Sequence, residues 1–195
     1  MELIIIVLLL LAALGYGTWL YNRLVRLRNA YRNAYAQIDV QLKRRHDLIP
    51  NLMETVKGYM QHERETLTAV IEARNQAEES RQKAAGAVGD PSAMSELGQA
   101  EGALGGVLGR LFALSEAYPD LKASENFRNL QEELSSTENR VGYARQAYND
   151  AVMSYNNAVE TVPSNMIASM FNFAPVAQLE FDDREEIQEP PQVSF

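Results

Sequence analysis

The chain contains no cysteine and only two histidines among its 195 residues. Without thiols it has no disulfide framework, no Cys-based zinc site, no thiol nucleophile and no cysteine for lipoprotein acylation. A thiol-free chain fits either side of a membrane, so the redox compartment stays open. Two histidines leave little for His-based acid–base chemistry. Positive charge is also short, with 18 Lys+Arg against 26 Asp+Glu and a formal net charge of −8. General nucleic-acid binding needs a basic surface, so no nucleic-acid partner is expected. From Thr18 to Ile49 there is neither glycine nor proline, and nothing local interrupts a helix there.

The charge that is present is segregated. Residues 22–83 carry 12 Lys+Arg and 8 Asp+Glu, whereas residues 84–195 carry 6 and 17. A basic segment beside an apolar N-terminal stretch, followed by an acidic remainder, suggests a molecule oriented at a membrane. Leu3 to Tyr21 is 19 residues without a charge, and at ~1.5 Å per residue it matches a ~30 Å hydrocarbon core. Leu3, Ile6 and Leu10 lie in its apolar body. Tyr16, Trp19 and Tyr21 gather at its end, where amphipathic rings favour the headgroup layer. Arg23, Arg26, Arg28 and Arg32 follow at once. The positive-inside rule therefore places the N-terminus outside and the remainder in the cytoplasm. A cleaved signal peptide is the competing reading, with Ala13-Leu14-Gly15 as a passable cleavage site. The missing basic n-region and the length of the apolar run argue against it.

The rest reads as long helices. Leu24, Leu27, Tyr31, Tyr35, Ile38 and Leu42 form one apolar stripe at an average step of 3.6. The anchor and first soluble helix are predicted to be one rod, ended or kinked by Pro50. A second helix is expected from about Asn51 to Gln82, with Leu52, Val56, Tyr59, Leu67 and Val70 inward. Ala84–Pro91 reads as a turn, Ser92 as the N-cap of a third helix, and Tyr118-Pro119-Asp120 as its end. From Phe127 to Val162, apolar positions alternate steps of three and four, the pattern of a packing seam closed by Pro163. The expected fold is all-α: a transmembrane helix continuing into an elongated antiparallel three- or four-helix bundle, with an extended C-terminal tail. The boundaries are an anchor over 1–22, a bundle over 23–171 and an acidic tail over 172–195. Tyr and Asn recur on these helices, including Tyr148, Asn149, Tyr155 and Asn156. They are read as register-setting hydrogen-bond groups, with a ligand pocket as the sharper alternative.

Candidate chemistry is sparse. His62-Glu63 resembles the start of a zinc-protease motif, but Thr66 stands where the second histidine belongs, so no metal is assigned. His46 and His62 are read as surface or capping residues. Lys43-Arg44-Arg45 reads as a solvated face or a complement to a helix C-terminus. Carboxylate pairs such as Glu132-Glu133 are adjacent rather than opposed across a cleft. No catalytic, cofactor-binding or small-molecule site is assigned. Gly98, Gly102, Gly105, Gly106 and Gly109 are unusual, since five glycines in one helix cost ~4–5 kcal/mol relative to alanine. They are read as a close-packing or self-association face, with a weak helix as the alternative. In the tail, Phe171, Phe181, Pro190, Pro191, Val193 and Phe195 are read as docking residues for the protein's own bundle, a neighbouring subunit or a partner.

Several long runs resemble one known family. Leu42-Lys43-Arg44-Arg45-His46-Asp47-Leu48-Ile49-Pro50-Asn51-Leu52, Val56-Lys57-Gly58-Tyr59 and Leu111–Lys122 are similar to the LemA family. So are Asn126-Phe127, Leu130–Leu134, Thr137–Arg140, Ala144-Arg145, Tyr148-Asn149, Tyr155-Asn156 and the closing Pro190-Pro191-x-Val193-x-Phe195. The Gly98–Gly109 stretch is richer in glycine than the family pattern. The resemblance implies an N-terminally anchored protein of the bacterial inner membrane, with an elongated antiparallel helical domain, no established catalysis and no cofactor. Its associations imply two roles. One is a self-associating scaffold or adaptor that organises other membrane proteins. The other is a partner of an HtpX-type membrane zinc protease. Arg44, Arg45, Asp47, Glu63, Arg64, Glu138, Arg140 and Arg145 are expected to form interhelical ion pairs, and Phe127, Asn139 and Tyr148 to set packing and register.

Overall fold

In a computed structural model the described residues are 1–181. They form six helices: α1 (Glu2–Lys57), α2 (Arg64–Gly86), α3 (Pro91–Ser115), α4 (Pro119–Ala123), α5 (Glu125–Glu160) and α6 (Ser164–Met170). An extended segment follows α6, and no strand occurs among the described residues. The fold is an all-α bundle. α1 and α5 pack antiparallel along most of their length, α2 and α3 form a second antiparallel pair, and α2 also rests on α1.

α1 is longer than its sequence suggests. Pro50 neither ends it nor divides it, and residues 51–57 belong to α1 rather than to a second helix. Proline at position 50 forfeits the bond to the His46 carbonyl four residues earlier. Arg74 Nε of α2 donates to that carbonyl at 3.3 Å, and buried Ile49, Leu52, Met53 and Val56 pin the last turns to the core. The helix ends at Gly58, and Tyr59 is exposed rather than inward. α3 is capped by Asp90, whose carboxylate accepts from the Ala93 amide at 3.0 Å with Pro91 in the first turn, so Ser92 is not the cap. Ser115 ends α3, and Pro119 opens α4. α5 keeps the expected seam through Phe127, Leu134, Thr137, Val141, Tyr148, Tyr155 and Ala158, all buried. Val162 lies beyond it and is exposed.

The core has two stretches. Near the N-terminal end, Leu24, Tyr31, Tyr35, Ile38 and Leu42 of α1 meet Val141, Tyr148, Val152 and Tyr155 of α5. Toward the far end, Ile49, Leu52, Val56, Leu67, Val70, Leu104, Leu111 and Phe127 form the other. Residues 1–16 of α1 stand clear of both, with Leu3, Ile6 and Leu10 bare, and Trp19, Arg23 and Arg26 are exposed beyond them. This part of α1 is long and apolar enough to cross a membrane.

Candidate functional site: a buried charge chain and a tail clamp

Between the two core stretches lies a line of charged side chains. His46 sits on the same stripe as Leu42 and Ile49 and is fully buried, not at the surface as its isolation in the sequence suggests. Its Nδ1 lies 2.9 Å from Glu78 Oε2 and its Nε2 lies 2.8 Å from Glu101 Oε1. A carboxylate only accepts, so each ring nitrogen that carries a proton donates to the carboxylate facing it. Arg45 NH1 reaches Glu101 Oε2 at 3.4 Å and its NH2 reaches Glu138 at 3.8 Å. Arg81 donates to Glu78 at 2.8 and 2.9 Å and bonds Asp39. The line runs Asp39–Arg81–Glu78–His46–Glu101–Arg45–Glu138 and ties all four long helices together.

Acidic side chains alternate with Arg81, His46 and Arg45 along this line, so buried Glu101 and half-buried Glu78 each meet two basic side chains. The Arg81 hydrogen bonds hold the Glu78 carboxyl well below the usual carboxylate range, with the His46 bond adding to them against the cost of burial. The Arg81 guanidinium is correspondingly raised, first by Glu78 and then by Asp39. Both His46 nitrogens are occupied, and no group of three metal-capable side chains occurs among the described residues. The arrangement aligns helices.

The expected ion pairs are only partly of this kind. Arg44 pairs with Glu133 at 2.8 Å on the surface, and Glu63 accepts from the Tyr118 hydroxyl at 3.1 Å. Asn139 is exposed and is not a packing residue. Arg145 lies with its guanidinium 4.4 Å from the Phe181 ring centroid.

The second polar system is a groove between α3 and α5 that holds the extended segment after α6. Tyr148-Asn149 and Tyr155-Asn156 are one heptad apart on α5, ~10.5 Å along the axis. Val176 and Leu179 are three residues apart in extended chain, ~10 Å, so the two spacings match. Asn156 donates to the Val176 carbonyl at 2.9 Å and accepts from its amide at 3.0 Å. Asn149 does the same for Leu179, at 3.0 and 2.9 Å. Tyr148 and Tyr155 donate to the carbonyls of Ala177 and Ala174, at 2.8 and 3.1 Å. Burial raises both phenols above their ordinary value, so the hydroxyls remain donors through neutral pH. Opposite α5, the Ala177 amide donates to the Gly89 carbonyl at 2.9 Å.

Two glycines make room for the segment. Gly89 has φ +89°, and a Cβ there would lie 2.7 Å from that of Val176. At Gly98 a Cβ would lie 2.0 Å from the Glu180 carbonyl oxygen, so the tail's main chain rests directly on α3. The other α3 glycines are placed differently. A Cβ at Gly105 would lie 3.6 Å from the Arg45 guanidinium, and one at Gly106 or Gly109 would meet open space. Together with Gly102 they line an open groove of about 840 Å³ that begins at Phe181 and runs along Glu138 and Leu134. Phe171 packs on Tyr21 with ring centroids 4.8 Å apart. Pro190, Pro191, Val193 and Phe195 lie outside the described residues.

From the sequence His46 reads as a surface or capping residue, and Glu78, Arg81 and Glu101 carry no signal as isolated residues. His46, Arg81 and Glu101 occupy inward positions, in Leu42-His46-Ile49, Ala77-Arg81-Ala84 and Leu97-Glu101-Leu104, and Glu78 lies half-buried beside Ala77. Extending the apolar stripes through their charged members would have exposed the chain.

The model of the LemA family matches residues 34–195. A protein LemA of Metamycoplasma hominis is 28% identical over 166 residues, covering 85% of this chain and 71% of that protein. The magnetosome protein MamQ of Magnetospirillum gryphiswaldense is 25% identical over 171 residues, covering 80% and 63%. Magnetosome protein MamQ 2 of Paramagnetospirillum magneticum is 26% identical over 168 residues, covering 78% and 62%. The chain thus spans less than two thirds of the length of the magnetosome relatives.

Proposed function

The chain belongs to the LemA family, and from that premise we propose that it is a non-catalytic, membrane-anchored helical scaffold. In this reading it self-associates and organises or recruits other proteins of the bacterial inner membrane. One observation carries it: an apolar run whose first sixteen residues have no partner in the bundle is continuous, through a single helix, with a domain whose buried charge chain and tail clamp hold helices and tail in register. A lone apolar helix that no protein surface covers is satisfied by lipid. Arg23, Arg26 and Arg32 at its end favour a cytoplasmic bundle. The naming of two relatives as magnetosome proteins fits an organising role.

The test is the mass of the full-length protein in lipid nanodiscs, with the lipid and belt subtracted, beside a chain that starts at residue 23. A discrete assembly in both is the expected result. A monomer in both overturns the scaffold. If assembly persists while deletion of Pro190–Phe195 abolishes co-purification with a membrane protease, the recruited client is that protease.

A further inference from the structure

Between Glu160 and Glu180 no residue carries a charge, a length of uncharged chain exceeded only by Leu3–Asn22. The structure brings these two stretches together. A Cβ at Gly17 would lie 3.9 Å from Ile167 Cδ1. Tyr21 packs against Phe171 and Phe173, with ring centroids at 4.8 and 5.7 Å. α6 therefore sits beside Gly17–Tyr21, the last ~6 Å of the apolar run at helical rise. Its inner side is closed by buried Ser164 and Ala168. Its outer side is apolar and bare: Met166 is 68% exposed, Met170 71%, Phe171 52% and, just before the helix, Val162 79%. Met166 and Met170, four residues apart, lie on one helix face.

We propose that α6 is a membrane-surface element, with Val162, Met166, Met170 and Phe171 seated in the headgroup–acyl boundary of the same bilayer that α1 crosses. This rests on the anchor reading above. The occupant of the face is fixed by continuity: the face lies level with Tyr16 and Trp19, where a span of ~30 Å meets the headgroups. It is uncharged, as insertion of an apolar face to ~5–10 Å requires. The adjoining positive charges stand where anionic headgroups would be. Arg23 lies over Trp19 at 5.9 Å and Arg28 over Phe173 at 5.0 Å. With α1 and α6 both in contact with lipid, the bundle is held at two points, so it stands on the membrane instead of swivelling about one helix.

The absence of cysteine makes the test direct. Full-length variants Met166→Cys, Met170→Cys, Leu8→Cys and Tyr143→Cys, each labelled with an environment-sensitive fluorophore, are placed in nanodiscs of phosphatidylcholine and phosphatidylglycerol. Tyr143 is 75% exposed on α5, away from α6. The expected result is a blue shift at 166 and 170, loss of emission with lipid spin-labelled near the headgroup, and protection from aqueous iodide. Leu8 should respond to lipid labelled deep in the chain, and Tyr143 to iodide alone. If 166 and 170 behave like Tyr143 while Leu8 is embedded, the surface element is wrong and the anchor stands. If Leu8 also faces water, the anchor reading fails and the proposal with it. Labels at 166 and 170 shielded from iodide but blind to spin-labelled lipid would mean that a second protein copy covers the face, which also overturns the proposal. Circular dichroism confirms that each variant is folded, and Val162→Cys replaces either methionine variant that is not.

Discussion

The charge chain at the waist of the bundle and the tail clamp on its flank both bury polar groups, but they address different partners. Along the chain from Asp39 to Glu138, acidic side chains meet basic ones, every link but Arg81–Glu78 joining two helices. In the clamp, neutral amides and phenols meet main-chain atoms of an extended segment. Removing one member of a buried charge line leaves its neighbour uncompensated, so the first system locks. Removing one neutral hydrogen bond costs far less, and main-chain atoms look alike in any sequence. The second system holds a segment by its conformation. A charged joint and a neutral grip thus meet on α5, which contributes Glu138 to the first and Tyr148, Asn149, Tyr155 and Asn156 to the second.

The largest effect should come from breaking the joint. His46→Ala leaves Glu101, fully buried, with only the long 3.4 Å contact to Arg45, and deprives Glu78 of one partner. The expected cost is about 3–5 kcal/mol of unfolding free energy, measured by urea denaturation of the full-length protein in detergent. The grip should respond differently. Asn149→Leu with Asn156→Leu removes four hydrogen bonds to the tail, each worth roughly 0.5–1.5 kcal/mol net. Hydrogen exchange should quicken over residues 174–181 while the amides of α1 and α2 keep their protection. Equal loss of protection throughout would mean that the clamp is part of the joint.

Much of this architecture was legible and some was not, for identifiable reasons. The seam of α5 stood out because apolar residues mark nearly every inward position from Phe127 to Ala158. The continuity of α1 through Pro50 did not, because the partner of the freed His46 carbonyl is Arg74, 28 residues on and in another helix. The charge chain was hidden by its chemistry. Arg81 and Glu101 look like surface residues until their helical register is followed inward. Tyr148, Asn149, Tyr155 and Asn156 were noticed as a repeated pair. Their shared partner, a run of Ala, Val and Leu backbone, has no side-chain signature.

Acid should separate the two systems again, less strongly. The folded Glu78 carboxyl is held below its unfolded value of ~4.3. Its contribution to stability is therefore fully present above that value and is lost as pH falls through the folded one. The gripping side chains of the clamp, Tyr148, Asn149, Tyr155 and Asn156, are neutral throughout this window. Melting temperature measured downward from pH 6 should fall in the wild type and fall less steeply in Glu78→Gln. Protection of residues 174–179, which those side chains hold, relative to α5 should stay constant across the same range.

The smallest effect sharpens the comparison most finely, because it concerns two rings in contact. Tyr35 and Tyr148 pack edge to face with centroids 5.8 Å apart, and burial raises both phenols. Tyr148 donates to the Ala177 carbonyl in the clamp, whereas the Tyr35 hydroxyl, one turn from Asp39, has no hydrogen-bond partner. A buried hydroxyl without a partner carries its desolvation cost with no return. Tyr148→Phe should cost about 1 kcal/mol and loosen the tail, since it strands a carbonyl. Tyr35→Phe keeps the ring contacts and removes the unmatched group, so stability should be unchanged or higher by up to about 1 kcal/mol, with tail protection unaltered. A clear loss of stability in Tyr35→Phe would show that this hydroxyl is bonded in solution and couples the charge chain to the clamp, so that joint and grip act as one system.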